Sequence, residues 1–273
     1  HEPSIFHRQI HAIRAAIIAA VGDQSYKITS EALSVLTQMV CIIRPTNQLP
    51  MADYESVLPV MYRKTQERMN KVDVDIEIKE RAITCMGQII ATFGDKMVEQ
   101  LPEALEMLHD KLSNEATRLV CIKALIKIAT SPIEMSLHTL FPRAFSTIAP
   151  FLRNNSRPLR INTLLLIDTI VRRSSELLDD NSAQLIVLSD VSDLINEDDL
   201  YVSQLALQML STVVRTHKAF HQIVPQHVLP KTLKLIRSPL LQGSALQATL
   251  QFLSTIVQSS FPGLDHKALL VKL

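Results

Sequence analysis

Residues 28–43 read ITSEALSVLTQMVCII, and this stretch predicts the fold. Its apolar side chains recur three and four positions apart, which is the spacing of one buried stripe on an α-helix. The predicted stripe comprises Ile28, Ala32, Val35, Leu36, Met39, Val40 and Ile43. A helix of this kind depends on neighbouring helices to bury its stripe.

The same pattern recurs six times along the chain. Each copy has an apolar residue, three variable positions, a small residue and another apolar residue. The small residues, which we call anchors, are Ala32, Ala82, Ala124, Thr163, Ala206 and Ala245. Successive anchors are 50, 42, 39, 43 and 39 residues apart, close to the period of about 40–47 residues found in HEAT and armadillo repeats. A small side chain at each anchor lets neighbouring helices approach closely.

Each anchor-bearing helix, which we call helix B, follows a second apolar helix, which we call helix A. The sequence therefore predicts an all-α fold, a HEAT-repeat α-solenoid formed as a right-handed superhelix of antiparallel helix pairs. We expect one array over residues 1–273 with about six pairs, followed by the start of a further helix at 264–273. The predicted pairs span 1–45, 52–94, 95–131, 135–175, 179–219 and 221–260.

The side of each B helix opposite its anchor is predicted to be exposed. At 100° per residue, the positions one before and six after an anchor point about 260° and 240° away from it. The later position holds only uncharged polar residues, namely Gln38, Gln88, Thr130, Thr169, Thr212 and Gln251. Glu31, Arg81 and Lys123 from the earlier position complete a candidate partner-binding face. This face is either a hydrogen-bonding trough for a protein partner or simply a solvated helix surface.

Composition narrows the classes of partner. Lys and Arg total 28 against 27 acidic residues, and the net charge of +1 gives no electrostatic footprint for nucleic acid or anionic lipid. Apolar runs such as residues 15–21 are too short to span a bilayer. We therefore expect a soluble intracellular protein with no nucleic-acid, membrane or small-molecule partner.

No motif for catalysis or cofactor binding is evident. The five glycines never cluster into a phosphate-binding loop. His7 and His11 have a spacing that could place two imidazoles on one helix face, but no third ligand accompanies them. The three cysteines, Cys41, Cys85 and Cys121, are far apart and flanked by apolar residues, which favours core thiols over a disulfide framework. We predict no enzyme activity, no metal and no cofactor.

Three segments carry a more specific resemblance. Residues 21–33 read VGDQSYKITSEAL, residues 78–90 read IKERAITCMGQII, and residues 236–246 read IRSPLLQGSAL. These segments resemble the cullin-associated, neddylation-dissociated family, and weaker similarity links them across nearly the whole chain. Both ends of the chain suggest an internal fragment of a longer protein.

The resemblance implies a long HEAT solenoid that wraps a cullin and its RING subunit. It implies that the protein binds cullins lacking the ubiquitin-like modifier, hides the lysine that receives it, and promotes exchange of substrate receptors on cullin-RING ubiquitin ligases. A location in both cytoplasm and nucleus is expected. The alternatives are a HEAT-repeat nuclear transport receptor, another protein-binding scaffold, or an enzyme whose active residues lie outside this chain.

Overall fold

The computed structural model describes residues 3–45, 48, 53–137, 141–173, 191–217 and 224–259. These residues form helices joined by turns, and they contain no β-strand. They fall into two compact units, His1–Leu140 (unit 1) and Phe141–Leu273 (unit 2). The prediction of an all-α fold is confirmed for the described residues.

Unit 1 contains three helix pairs preceded by a short helix. Its helices are α1 (Ser4–His7), α2 (Ile10–Val21), α3 (Tyr26–Ile43), α4 (Tyr54–Asn70), α5 (Ile76–Phe93), α6 (Leu101–Leu112) and α7 (Glu115–Ala129), with a 3-10 turn at Gly94–Lys96. The A helices α2, α4 and α6 pack against the B helices α3, α5 and α7 respectively. The B helix α5 also packs against both other B helices.

The starts of these helices follow from short polar side chains and proline. The Asp75 carboxylate accepts a hydrogen bond from the backbone N–H of Glu77 at 2.8 Å, and the Asn114 side chain accepts one from Ala116 at 3.0 Å. Both interactions satisfy an N–H group that the first helical turn leaves without a partner. Pro102 lies in the first turn of α6, where its missing N–H costs nothing.

Unit 2 also contains three B helices. Its elements are α8 (Phe141–Ile148), a 3-10 turn (Ala149–Arg153), α9 (Arg157–Arg173), a 3-10 turn (Ser192–Leu194), α10 (Leu200–Thr216), a π-helical turn (Val224–Val228), α11 (Leu229–Leu235) and α12 (Gly243–Gln258). The B helices are α9, α10 and α12, and α10 packs against both of the others. Asp199 caps α10 by accepting from the N–H of Val202 at 3.1 Å.

All six anchors are buried, as the sequence predicts. Ala82, Thr163 and Ala206 are completely inaccessible to solvent. The packing reason is clearest between α5 and α7, where a Cβ atom added to Gly87 would lie 2.7 Å from Cβ of Ala124. Only small residues permit this close approach of two helix backbones.

The predicted apolar stripe of α3 is wrong at two positions. Ile28 is 46% exposed and Val35 is 49% exposed. Two hydroxyl residues, Thr29 and Ser30, are buried instead. Thr29 donates to the carbonyl of Asp23 at 3.1 Å and Ser30 donates to the Glu77 carboxylate at 2.7 Å. Because these hydrogen bonds satisfy both hydroxyls, their burial carries little penalty.

Some predicted boundaries lie outside the described residues. These are the further helix predicted at 264–273 and the parts of the predicted pairs at 1–2, 52, 138–140, 174–190, 218–223 and 260. The arrangement of the helix pairs as one array stays a prediction. None of the described helices combines the length and apolar character that crossing a membrane requires.

Candidate partner-binding face

The exposed side of the B helices in unit 1 begins on α3. Glu31 and Gln38 are exposed there, as the sequence predicts. Ile28 and Val35 lie on the same side of the helix, because the four positions are three and four residues apart. The α3 part of the face therefore alternates apolar and polar groups rather than being purely polar.

The α5 part of the face is partly closed. The Arg81 side chain is 43% exposed and lies 3.8 Å from the Glu77 carboxylate. Gln88 is only 7% exposed, so its predicted exposure is wrong. Its amide nitrogen donates to the Thr92 hydroxyl at 2.8 Å. The physical reason is that α5 is flanked by another B helix on each side, which the period of a single helix does not reveal.

The α7 part of the face is open and basic. Lys123 and Thr130 are exposed, as predicted. The Thr130 hydroxyl donates to the carbonyl of Ile126 at 2.9 Å, so it turns back onto its own helix. Lys127 is exposed as well and lies one turn after Lys123. Because Lys127 lies four residues after Lys123, the sequence alone could have shown that it shares this face.

We call this side of α3, α5 and α7, including the buried Gln88, the B face of unit 1. It comprises Ile28, Glu31, Val35, Gln38, Arg81, Thr84, Gln88, Lys123, Lys127 and Thr130.

The corresponding residues of unit 2 are more enclosed. Thr169 on α9 is half-buried and its hydroxyl donates to the carbonyl of Leu165 at 2.7 Å. Thr212 on α10 is only 9% exposed, so its predicted exposure is also wrong. Its hydroxyl donates to the Asp168 carboxylate of α9 at 2.8 Å. Gln251 on α12 is exposed, as predicted.

A cavity of about 220 Å³ opens at the C-terminal ends of the three B helices in unit 1. Two predicted face residues, Gln88 and Thr130, line it together with Cys41 and Lys127. The remaining lining residues are Arg44, Pro45, Ala91, Thr92, Ser131, Pro132 and Ile133. The C-terminal ends of α3, α5 and α7 therefore meet at this cavity.

The charges around this cavity are mainly cationic. Arg44 is buried, and it donates to the carbonyl of Thr92 at 3.0 Å and to the Asp95 carboxylate at 2.6 Å. Its charge is therefore balanced within the fold. Lys127 forms no ion pair with any described carboxylate, so its ammonium group is available at the cavity.

The cysteines provide no activated nucleophile. Burial raises the pKa of the Cys41 thiol, while the nearby Lys127 ammonium acts in the opposite direction. Burial also raises the pKa of Cys85 to about 11, and it raises the pKa of the fully buried Cys121. All three are therefore thiols at neutral pH, and none has the depressed pKa of a reactive cysteine.

The two histidines that sequence analysis considered as metal ligands do not act together. Nε2 of His7 lies 3.1 Å from the carbonyl oxygen of Ile42. Nε2 of His11 lies 3.0 Å from the Asp53 carboxylate. A separate group on α6, formed by Glu106, His109 and Asp110, has ligand atoms within 4.8 Å of one another. Such clusters are common on solvated helix faces, and no further observation indicates a metal there.

Comparison with known sequences gives a consistent result along the chain. A family profile described as CAND1-like with TPR repeats matches residues 1–86. Cullin-associated NEDD8-dissociated protein 1 from Drosophila melanogaster is 38% identical over 100% of this chain and 22% of its own length. The Arabidopsis thaliana protein of the same name is 36% identical over 94% of this chain and 21% of its length. Cullin-associated NEDD8-dissociated protein 2 from Rattus norvegicus is 35% identical over 97% and 21%.

Comparison with solved structures identifies the fold alone. A designed armadillo repeat protein superimposes with a TM-score of 0.65 at 16% sequence identity, covering 88% of this chain and 98% of the design. A second designed armadillo protein, solved with a (KR)4 peptide, has a TM-score of 0.66 at 15% identity over the same shares. Both are arrays of repeated helices, which confirms the predicted α-solenoid class.

Proposed function

Because the chain belongs to the family of cullin-associated NEDD8-dissociated proteins, we propose that it is a non-enzymatic scaffold segment in the regulation of cullin-RING ubiquitin ligases. In this proposal it contributes to binding cullins that lack NEDD8 and to the exchange of substrate receptors. The cullin is bound together with its RING subunit, in the cytoplasm and the nucleus. The chain makes and breaks no covalent bond in this process.

One observation carries the proposal. Similarity to relatives named as cullin-associated extends over 94–100% of the chain in an insect, a plant and a mammal. The chain spans about one fifth of the length of those relatives. We therefore propose that this chain contributes one part of the activity of the full-length relatives.

The geometry supports a scaffold in a specific way. The three B helices of each unit lie side by side, so their exposed side chains form a row. Such a row suits contact with a long protein surface better than binding of a small molecule. The cavity of about 220 Å³ on the B face of unit 1 is smaller than the ~300–1,000 Å³ typical of ligand pockets. A shallow polar face with a small cavity fits contact with a protein.

The test is a pull-down with two forms of one partner. A cullin–RING complex is immobilised without NEDD8 and, in parallel, with NEDD8 attached to the cullin. We expect the chain to be retained on the unmodified complex and to be depleted on the modified one. Equal retention on both complexes, or retention on neither, would contradict the proposal.

A further inference from the structure

The charges of the unit 1 B face differ from helix to helix. Its α3 part contains Glu31, and on α5 Arg81 lies beside Glu77. Its α7 part contains two cations, Lys123 and Lys127. We call the α7 side of the face, with the adjoining groups of α5 and of the cavity, the basic half, and it comprises Cys41, Thr84, Gln88, Lys123, Lys127 and Thr130.

The two lysines of the basic half have no charged partner in the part of the chain that the structure describes. Lys123 and Lys127 are exposed, and neither forms an ion pair with a carboxylate among the described residues. This differs from Arg44 at the same end of the face, whose guanidinium is held by Asp95 at 2.6 Å. Two uncompensated cations beside a polar cavity favour an anionic partner.

The spacing of the two lysines indicates the conformation of the bound partner segment. Lys123 and Lys127 are four residues apart on α7, which separates them by about 6 Å along the helix axis. In an extended peptide, every second side chain points to the same side and recurs after about 6.6–6.8 Å. A segment with acidic residues at alternating positions, running along α7, can therefore place one carboxylate on each lysine.

The groups beside the lysines suit the rest of such a segment. Thr84 is exposed on α5, which packs against α7, and its hydroxyl oxygen can accept a hydrogen bond from an extended backbone. The cavity lined by Cys41, Gln88 and Lys127 lies at the end of this path. Its volume of about 220 Å³ can receive one side chain of the segment.

We propose that the basic half of the unit 1 B face binds an extended acidic segment of a protein partner, with alternate carboxylates on Lys123 and Lys127. This inference rests on the proposed function only in taking the partner to be a protein. It adds the chemistry of the contact and the two residues that recognise it.

The first experiment measures binding of a defined probe to the full 273-residue chain. The probe is a fluorescein-labelled ten-residue peptide of alternating glutamate and serine, and the readout is fluorescence anisotropy. The double variant Lys123→Glu/Lys127→Glu is expected to weaken binding by about tenfold or more at low salt, because attraction becomes repulsion. A peptide of alternating lysine and serine is expected not to bind.

A matched control reverses two positive charges elsewhere. Arg63 and Lys71 are exposed on the A helix α4 and in the turn that follows it, and neither belongs to the B face. The double variant Arg63→Glu/Lys71→Glu has the same net charge as the test variant and is expected to bind the acidic peptide within about twofold of the wild type. Equal losses in both variants would mean that only the overall charge matters, and the inference would be rejected.

The second experiment needs no charge variant and therefore does not depend on its folding. Cys41 is the one partly exposed thiol of the chain, since Cys85 and Cys121 are buried. Saturating acidic peptide is expected to slow alkylation of Cys41 by several-fold, because the segment covers the cavity. Unchanged alkylation at saturating peptide would overturn the proposed position.

The outcomes separate this inference from the proposed function. If the unmodified cullin complex binds the chain but the acidic peptide does not, only this inference fails. If the peptide binds and protects Cys41 while neither cullin complex is retained, the proposed function fails alone.

Discussion

The B faces of the two units use their polar side chains differently. In unit 2, side chains of neighbouring B helices hydrogen-bond to each other along the face. Thr212 donates to Asp168, Ser244 donates to the Gln204 side chain at 2.8 Å, and Arg215 donates to the Thr255 hydroxyl at 3.1 Å. The donors of this face are thus largely satisfied within the fold.

In unit 1, links between neighbouring B helices lie at the two ends of the face. Ser30 bonds to Glu77 near the helix starts, and Arg44 bonds to the Thr92 carbonyl near the helix ends. Among the described residues, Lys123 and Lys127 form no such link. A partner that bonds to these lysines need not break an internal hydrogen bond first. We therefore expect unit 1 to offer the better binding surface, although both faces are built from the same repeat.

The largest expected effect concerns the buried anchor residues, which both units contain. Ala82 in unit 1 and Ala206 in unit 2 are both completely buried, so Ala82→Glu and Ala206→Glu each bury a charge without a partner. We expect each substitution to lower the free energy of unfolding by about 3–5 kcal/mol. Thermal and urea denaturation measure this loss, and hydrogen exchange identifies the unit affected.

The control for this experiment lies on the same helix as Ala82. Thr84 is exposed, so Thr84→Glu is expected to change the free energy of unfolding by at most about 0.5 kcal/mol. An unchanged melting temperature for Ala82→Glu would show that the assigned repeat register is incorrect.

The next effect concerns Arg44, which is the one buried cation among the residues that the structure describes and lies at the end of the unit 1 face. Arg44→Met keeps much of the side-chain volume but removes the bonds to Thr92 and Asp95. It leaves the partly buried Asp95 carboxylate with only the Lys96 ammonium, at 3.8 Å, so we expect a loss of about 2 kcal/mol in the free energy of unfolding. Adding Asp95→Asn to Arg44→Met should recover part of that loss. A double variant less stable than the single one would argue against the ion pair as the cause.

A smaller effect tests whether the unit 2 face is held by its own side chains. Thr212→Val preserves shape but removes the hydroxyl that donates to Asp168. We expect the free energy of unfolding to fall by about 1 kcal/mol. Thr130→Val in unit 1 is the matched control, because that exposed hydroxyl bonds only to carbonyls of its own helix. Equal effects of the two substitutions would remove the distinction between the faces.

The fold was predictable from the sequence because the signal is local and repeated. Each anchor has a small side chain at a fixed place in a helical stripe, and all six anchors are buried. The period of one helix shows which side faces its own A helix. It does not show how closely the next B helix approaches, and that approach buries Gln88 and Thr212.

The candidate face was therefore predictable in part. Residues on the flanking helices α3, α7 and α12 are exposed as predicted, including Glu31, Lys123 and Gln251. The middle helices α5 and α10 each have a B helix on both sides, so their predicted polar positions lose solvent. Lys127 could have been found from its four-residue distance to Lys123.

The smallest effect is the pH dependence of an exposed pair in unit 2. Arg157 donates to the Asp199 carboxylate at 2.6 and 3.1 Å, and this hydrogen bonding lowers the pKa of Asp199. A carboxyl group with a lower pKa in the folded state contributes stability that is fully present above its unfolded pKa of about 3.9. That contribution is lost as the pH falls through the folded value.

Comparing the wild type with Arg157→Gln isolates this contribution. We expect the variant to be slightly less stable at pH 7, and we expect the difference to shrink below pH 4 as Asp199 becomes protonated in both proteins. Urea denaturation across this pH range measures the difference. Lys127→Gln in unit 1 is expected to show no such change with pH, because Lys127 has no paired carboxylate among the described residues. A pH-dependent loss in Lys127→Gln would mean that the unit 1 lysine is engaged within the fold, and the contrast between the two faces would disappear.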